Sequence, residues 1–224
     1  MPAHRQNGVR ENGLRENWLE GWWLLAMLTL VLLALSVWIA GMRDFGVEGV
    51  RAVIRFTARS SLLLFCLAFS AGALAHLWPN AWTSWQRRNR RYLGLGFAAS
   101  HAIHALAIVC FALLSPPLFA ENTSPASYIF GGVGYAAILA MSATSFDGAV
   151  AAIGPRAWRR LHLVCGYYLL LQFMVSFGKR MPAMPLYALF LIPLFAVLAL
   201  RMIAMAKRPG DRDAADRSGL RGLV

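Results

Sequence analysis

Acidic residues are scarce in this chain, with 10 Asp and Glu against 22 Lys and Arg in 224 residues. No paired-carboxylate arrangement is present, and neither Gly-x-Ser-x-Gly nor His-Glu-x-x-His occurs, so the common hydrolytic signatures are excluded. Cysteine is equally sparse. Cys66, Cys110 and Cys165 each fall inside an apolar stretch, and none forms a Cys-x-x-Cys pair, which excludes a disulfide framework and a structural zinc site. Long polar connections are also missing, and no Gly-x-Gly-x-x-Gly follows a strand-like run, leaving no room for a dinucleotide or flavin domain. No internal repeat is visible.

What is abundant is apolar side chain: 58% of residues are hydrophobic and 14% charged, whereas a soluble chain carries roughly 45–50% apolar and about 25% charged residues. The charges gather in short clusters between long uncharged runs, at 21–42, 60–78, 92–115, 126–146, 161–178 and 184–206. Each run approaches the roughly 20 residues that cross a 30 Å hydrocarbon core at about 1.5 Å per residue. The first is too long for a signal-peptide core of roughly 7–15 apolar residues and lacks a small-x-small cleavage site, so it reads as a retained helix. The expected fold is all-α, a polytopic membrane bundle of six transmembrane helices over residues 20–206, with polar tails at 1–19 and 207–224. The C-terminal tail, with Asp211, Arg212, Asp213, Asp216 and Arg217, reads as a solvated, disordered end.

A formal charge of +12 would suggest nucleic acid in a soluble protein, but no groove-reading motif accompanies it and the arginines flank apolar runs. They therefore meet anionic headgroups and orient the chain. The N-terminal tail, the Arg87, Arg88, Arg90, Arg91 cluster, the Arg156, Arg159, Arg160 cluster and the Lys207, Arg208 tail fall on one side, which the positive-inside rule makes cytoplasmic. Arg43, Arg51, Arg55, Lys179 and Arg180 fall on the other, and the loop around residues 121–127 has no base. Arg201 sits one and a half turns inside the last helix, within snorkelling reach of its end. The expected location is the inner (plasma) membrane with both termini cytoplasmic.

Apart from His4 in the tail, the histidines lie within the runs: His76 in the second, His101 and His104 in the third, His162 in the fifth. Ionisable residues inside a membrane default to a functional reading. Neutral imidazole is a favoured axial ligand of haem iron, and an apolar bundle interior suits a haem; without Cys-x-x-Cys-His, attachment would be non-covalent, as in haem b. The alternative role is a neutral ring bonded between helices. His101 and His104, three residues apart, share a helix face. Gly94 and Ala98 lie on the stripe before His101, and Gly166 one turn after His162, leaving room either for a flat macrocycle or for close helix packing. Arg91 and Arg160 are candidate partners for haem propionates, although topology alone also explains them. Ser142, Thr144, Ser145 and Gln172 read as interhelical glue.

Taken together, Arg90-Arg91-Tyr92-Leu93-Gly94-Leu95 with Ser100-His101-Ala102-Ile103-His104, and Gly154-Pro155-Arg156-Ala157-Trp158-Arg159-Arg160-Leu161-His162, resemble the ferric-reductase-like transmembrane domain. That superfamily includes NADPH oxidases, ferric reductases and the haem-binding membrane subunit of the periplasmic methionine sulfoxide reductase system. The resemblance covers the second to sixth runs. It implies b-type haem held between the third and fifth helices and electron transfer across the membrane. By position it matches His104 and His162 to haem ligands, while Val175 stands where a second fifth-helix histidine is expected, with Gln172 and Met174 nearby. Depth offers a different pairing. Counting about 1.5 Å per residue from the cytoplasmic end puts His101 at roughly 15 Å, His104 at roughly 20 Å and His162 at roughly 3 Å, or about 10 Å if its helix starts at Pro155. Depth thus favours His101 as the partner of His162, and His76 is a third candidate.

The resulting expectation is a haem b electron-transfer protein, with an acceptor on the outer face that includes a periplasmic partner protein among its candidates. The chain's length leaves the electron donor outside it: a cytosolic flavoprotein, with flavin supplied by or shared with that partner, or a membrane quinol. The competing expectation is a non-enzymatic transporter or assembly subunit with histidines along a polar path; Pro193 and the Gly131, Gly132, Gly134 cluster are its only sequence support.

Overall fold

A computed structural model describes residues 19–207; the expected tails lie outside the described residues except for Leu19 and Lys207. In chain order the helices are α1 (Gly21–Gly41), α2 (Val47–Leu77), α3 (Ala81–Arg88), α4 (Arg90–Leu114), α5 (Pro116–Asn122), α6 (Pro125–Ala143), α7 (Asp147–Ile153), α8 (Pro155–Gly178) and, after a 3-10 turn at Pro185–Tyr187, α9 (Ala188–Ala206). The described residues contain no strand. Six of these elements are long and apolar enough to cross a membrane, so the chain is a multi-pass α-helical membrane protein. Consecutive spans alternate in direction. The start of α1, α3, α7 and the end of α9 gather at one end of the bundle, and the turn after α1, α5 and the turn before α9 at the other.

The first of these ends is marked by Trp22, Trp23, Trp78, Trp82, Trp85 and Trp158, as an interfacial aromatic belt requires. Here α3, missed by hydropathy, folds back against α2. Its Asn80 and Thr83 form a capping box, and the buried Gln86 amide donates to the Leu67 carbonyl and Ser70 hydroxyl. The Asn89 side-chain Oδ1 accepts the Gly21 amide, and Trp85 Nε1 donates to Leu19 O, tying the start of α1 to the same corner.

One boundary differs substantially from expectation. The second span begins at Val47 rather than residue 60, carrying Arg51, Arg55 and Arg59 into the helix. Arginine is a good helix former, and hydropathy registers its charge without its propensity. The extra turns pack tightly: a Cβ on Gly49 would lie 2.9 Å from the Ala40 carbonyl oxygen. Deeper in, α2 and α4 meet along small polar residues. Ser61 donates to Ser100 Oγ at 2.9 Å, Ser60 shares that oxygen, and Ser100 reaches Thr57 O, so the hydroxyls are satisfied without water. Arg201 also departs from expectation. Running towards the tryptophan end, α9 aims its side chains back along the axis, and the guanidinium lies 4.0 Å over the Phe69 ring and donates to Phe69 O and Tyr167 Oη.

Candidate functional site: two cavities along the bundle

Helices α4 and α8 meet through ring contacts, Phe173 standing 6.1 Å from Phe97 and 5.9 Å from His101, centroid to centroid. Between them lies an aromatic layer in which Phe65 stands 5.6 Å from Phe97 and 5.4 Å from Phe173, centroid to centroid, with a cavity on either side. The cavity towards the tryptophan end has a volume of about 330 Å³ and is lined by His162, Gly94, Arg90, Arg91, Met141 and the Phe65, Phe69 and Phe97 rings. The second, about 200 Å³, lies towards the opposite end and is lined by His101, His104, Tyr135, Gln172, Arg55, Arg59 and Arg180. Ile138 borders both. The larger volume is within the range of roughly 300–1,000 Å³ for ligand pockets, the smaller below it.

Two histidines are held by the same device. Thr57 donates its hydroxyl proton to the Val53 carbonyl at 2.7 Å, so its oxygen is left to accept from His104 Nδ1, 2.9 Å away. Thr144 likewise donates to Ala140 O at 2.7 Å and accepts from His162 Nε2 at 3.1 Å. Each threonine hydroxyl is spent on the carbonyl four residues back, which assigns the imidazole proton to the bonded nitrogen. Nε2 of His104 and Nδ1 of His162 therefore carry the lone pairs. His162 is braced further by Trp158, whose ring lies 4.5 Å away and whose Nε1 donates to Thr144 O. His101 lies between Phe97 (5.1 Å), His104 (5.3 Å) and Tyr135 (5.5 Å), and its Nδ1, Tyr135 Oη and Arg59 Nε are buried without a hydrogen-bond partner.

The candidates from the sequence are thus divided. His101 and His104 share one cavity and His162 lines the other, so neither cavity holds His162 together with a third-span histidine. With α8 starting at Pro155, His162 lies about 10 Å along its helix against about 16 Å and 21 Å for His101 and His104, in keeping with two levels. His76 is exposed near the end of α2 and lines neither cavity. Arg91 lines the larger cavity and is paired with Asp147; Arg160 is exposed in an outer groove with Pro155 and Arg159. Gly94 opens onto the larger cavity with nothing within 4 Å of an added Cβ, whereas at Gly166 the Phe69 ring would lie 2.6 Å away. The glycine at 166 thus makes room for a phenylalanine, and Ala98 packs against the core. Gln172 lines the smaller cavity; Met174 packs on the core.

Sequence reasoning missed Met141, Tyr135 and Thr57 as parts of these sites and treated Arg55 as a loop charge; Thr144 does bond between helices, and Arg180 does lie in the turn after α8. A helical reading of residues 47–59 would have put Arg55 and Arg59 on one face through their four-residue spacing.

No protein-family model, no curated protein and no solved structure matches this chain. The donor chemistry of the larger cavity fits a haem: an imidazole with its proton held by a threonine, a thioether from Met141, two arginines and a glycine that leaves the wall open. Among the described residues no group of three or more His, Cys, Asp or Glu is placed to hold a bare metal ion.

Proposed function

We propose that this chain is a transmembrane electron-transfer protein of the ferric-reductase-like type that binds haem b non-covalently. The observation that carries the reading is the pair of threonine-anchored histidines, one in each of two cavities stacked along the bundle. A hydrogen bond to one ring nitrogen is the usual support of a ligating imidazole, because it sets the tautomer and raises the basicity of the other nitrogen. In this reading His162 would be the principal ligand to the haem iron, Met141 a second candidate donor on the same cavity wall, and Arg90 and Arg91 the cations available to the propionates. When bound, the haem supplies a one-electron carrier in a water-poor interior. The residues of the chain exclude solvent through Phe65, Phe69 and Phe97 and hold the imidazole by Thr144. The ring contacts from Phe65 through Phe97 and Phe173 to His101 link this site to the smaller cavity, where His104 offers a second ligand.

The arginines at the tryptophan end orient that end to the cytoplasm of the inner membrane. The donor is then a cytosolic flavoprotein or membrane quinol, and the acceptor lies at the opposite face. Reporter fusions after Ser115 and Lys207 are expected on opposite sides of the membrane, and the same side for both would remove the topology. The reading itself is tested by spectroscopy of purified protein, expected to show a reducible Soret band and a b-type pyridine haemochrome, with the band lost in His162→Ala. Protein that neither retains haem from haem-sufficient cells nor takes it up on reconstitution would overturn the assignment.

A further inference from the structure

We propose that Arg55, Arg59 and Arg180 form a binding site for a small oxyanion, a group of the phosphate or carboxylate class, drawn into the bundle from the end opposite the tryptophan belt. All three guanidinium-bearing residues line the smaller cavity, and no Asp or Glu lines it with them. The ion pairs among the described residues are Arg51 with Glu48, Arg88 with Glu20 and Arg91 with Asp147, so none of the three arginines has a carboxylate partner. Arg55 and Arg59 are four residues apart on α2, where like charges share a face and repel.

Snorkelling does not account for this arrangement. Arg59 lies about 18 Å along α2 from Val47, beside Thr57 and Ser60, which bond to His104 and Ser100 in the middle of α4. Its guanidinium and that of Arg180 each lie 5.8 Å from the centre of the same Tyr187 ring, and Arg59 is also 5.3 Å over Phe190. These contacts stabilise a part-buried cation, Arg59, and an exposed one, Arg180, without neutralising either. An anion completes the set. Guanidinium forks match carboxylate and phosphate oxygens two at a time, and the buried Tyr135 hydroxyl and Arg59 Nε, both without a hydrogen-bond partner, are donors on the cavity wall. The volume of about 200 Å³ suits a small anion. A wider groove shares Arg55 and Arg180 and adds Arg51, Asn122 and Thr123, giving the anion a positively charged approach. The assignment does not depend on haem at His162.

The test uses the full-length protein in nanodiscs of zwitterionic lipid, with inorganic phosphate as probe in isothermal titration and thermal unfolding. Saturable binding that raises the unfolding temperature is expected. R59Q/R180Q should weaken it at least tenfold and R59K/R180K by a smaller factor. R87Q/R156Q, which removes the same charge at the other end, should stay within twofold of wild type. In phosphate-free buffer R59Q/R180Q is expected to unfold no earlier than wild type, because it relieves repulsion; should it fail to fold, the weakening in R59K/R180K decides. In nanodiscs containing phosphatidylglycerol, a tenfold drop in apparent phosphate affinity would identify a lipid headgroup as the resident oxyanion, and unchanged affinity a dissolved one. Absence of saturable binding, or equal loss in R87Q/R156Q, would overturn the site. So would phosphate binding that disappears when haem is loaded, since the arginines would then serve the haem's own carboxylates.

Discussion

The two cavities of this bundle are separated by one layer of phenylalanines and yet differ in how much of their positive charge the protein offsets. Towards the tryptophan end, Arg90 and Arg91 line the space with Asp147, which pairs with Arg91, most of the remaining wall is aromatic and aliphatic, and the one histidine is anchored at Nε2. On the other side, three arginines and two histidines face a smaller space without a carboxylate, and three wall atoms lack partners. The larger cavity keeps one carboxylate, Asp147, beside its two arginines. A cavity left net positive in a low-dielectric interior is built to complete itself with an anion. The phenylalanine layer separates the two spaces while its own rings stay in contact.

Substitutions on the two sides of the phenylalanine layer should differ in their effect on stability. Gly166→Leu drives a side chain into the Phe69 ring that walls the larger cavity, and overpacking of this kind costs about 3 kcal/mol; denaturant unfolding in detergent should register it, and an unchanged midpoint would mean that Phe69 is free to move. Thr57→Val strips His104 of its acceptor in the more buried site and is expected to cost about 2 kcal/mol, and Thr144→Val about 1 kcal/mol, the penalties of leaving a buried or part-buried donor unpaired. Equal costs measured side by side would show that the two anchors are equivalent. Arg91→Ala opens a pair whose Asp147 partner is largely exposed, so at most about 1 kcal/mol is expected, falling with added salt. Gly94→Leu points into open space and should shift the midpoint by less than about 0.5 kcal/mol, yet reduce bound haem at least tenfold by pyridine haemochrome assay. Undiminished haem in that variant would move the cofactor out of this cavity.

Much of the bundle is legible because lipid imposes a simple demand: each span must be apolar for about 20 residues and hydrogen-bonded within itself. The limits of α1, α4 and α6 accordingly lie within three residues of the hydrophobic runs. The failures come where charge and helix coincide. Arg51, Arg55 and Arg59 precede an apolar run but belong to its helix, and Arg156, Arg159 and Arg160 likewise lie inside α8 rather than ahead of it. The short α3 and α7 lie outside the apolar windows altogether, so their contributions, Gln86 on Leu67 and Asp147 on Arg91, had no sequence signal.

The sequence by itself determined that this is a six-span membrane protein and that its titratable interior groups are few and deliberate, because burying an ionisable group in lipid is too costly to be incidental. It also made His101, His104 and His162 the residues to follow. Which of them share a space was decided by tertiary structure alone. The positions of three helices about their axes set the grouping, and a one-residue rotation of about 100° would have changed it. The same holds for the small residues: Gly94 and Gly166 look alike in the sequence, and only the arrival of Phe69 at one of them, and of nothing at the other, distinguishes a packing contact from a wall of the cavity.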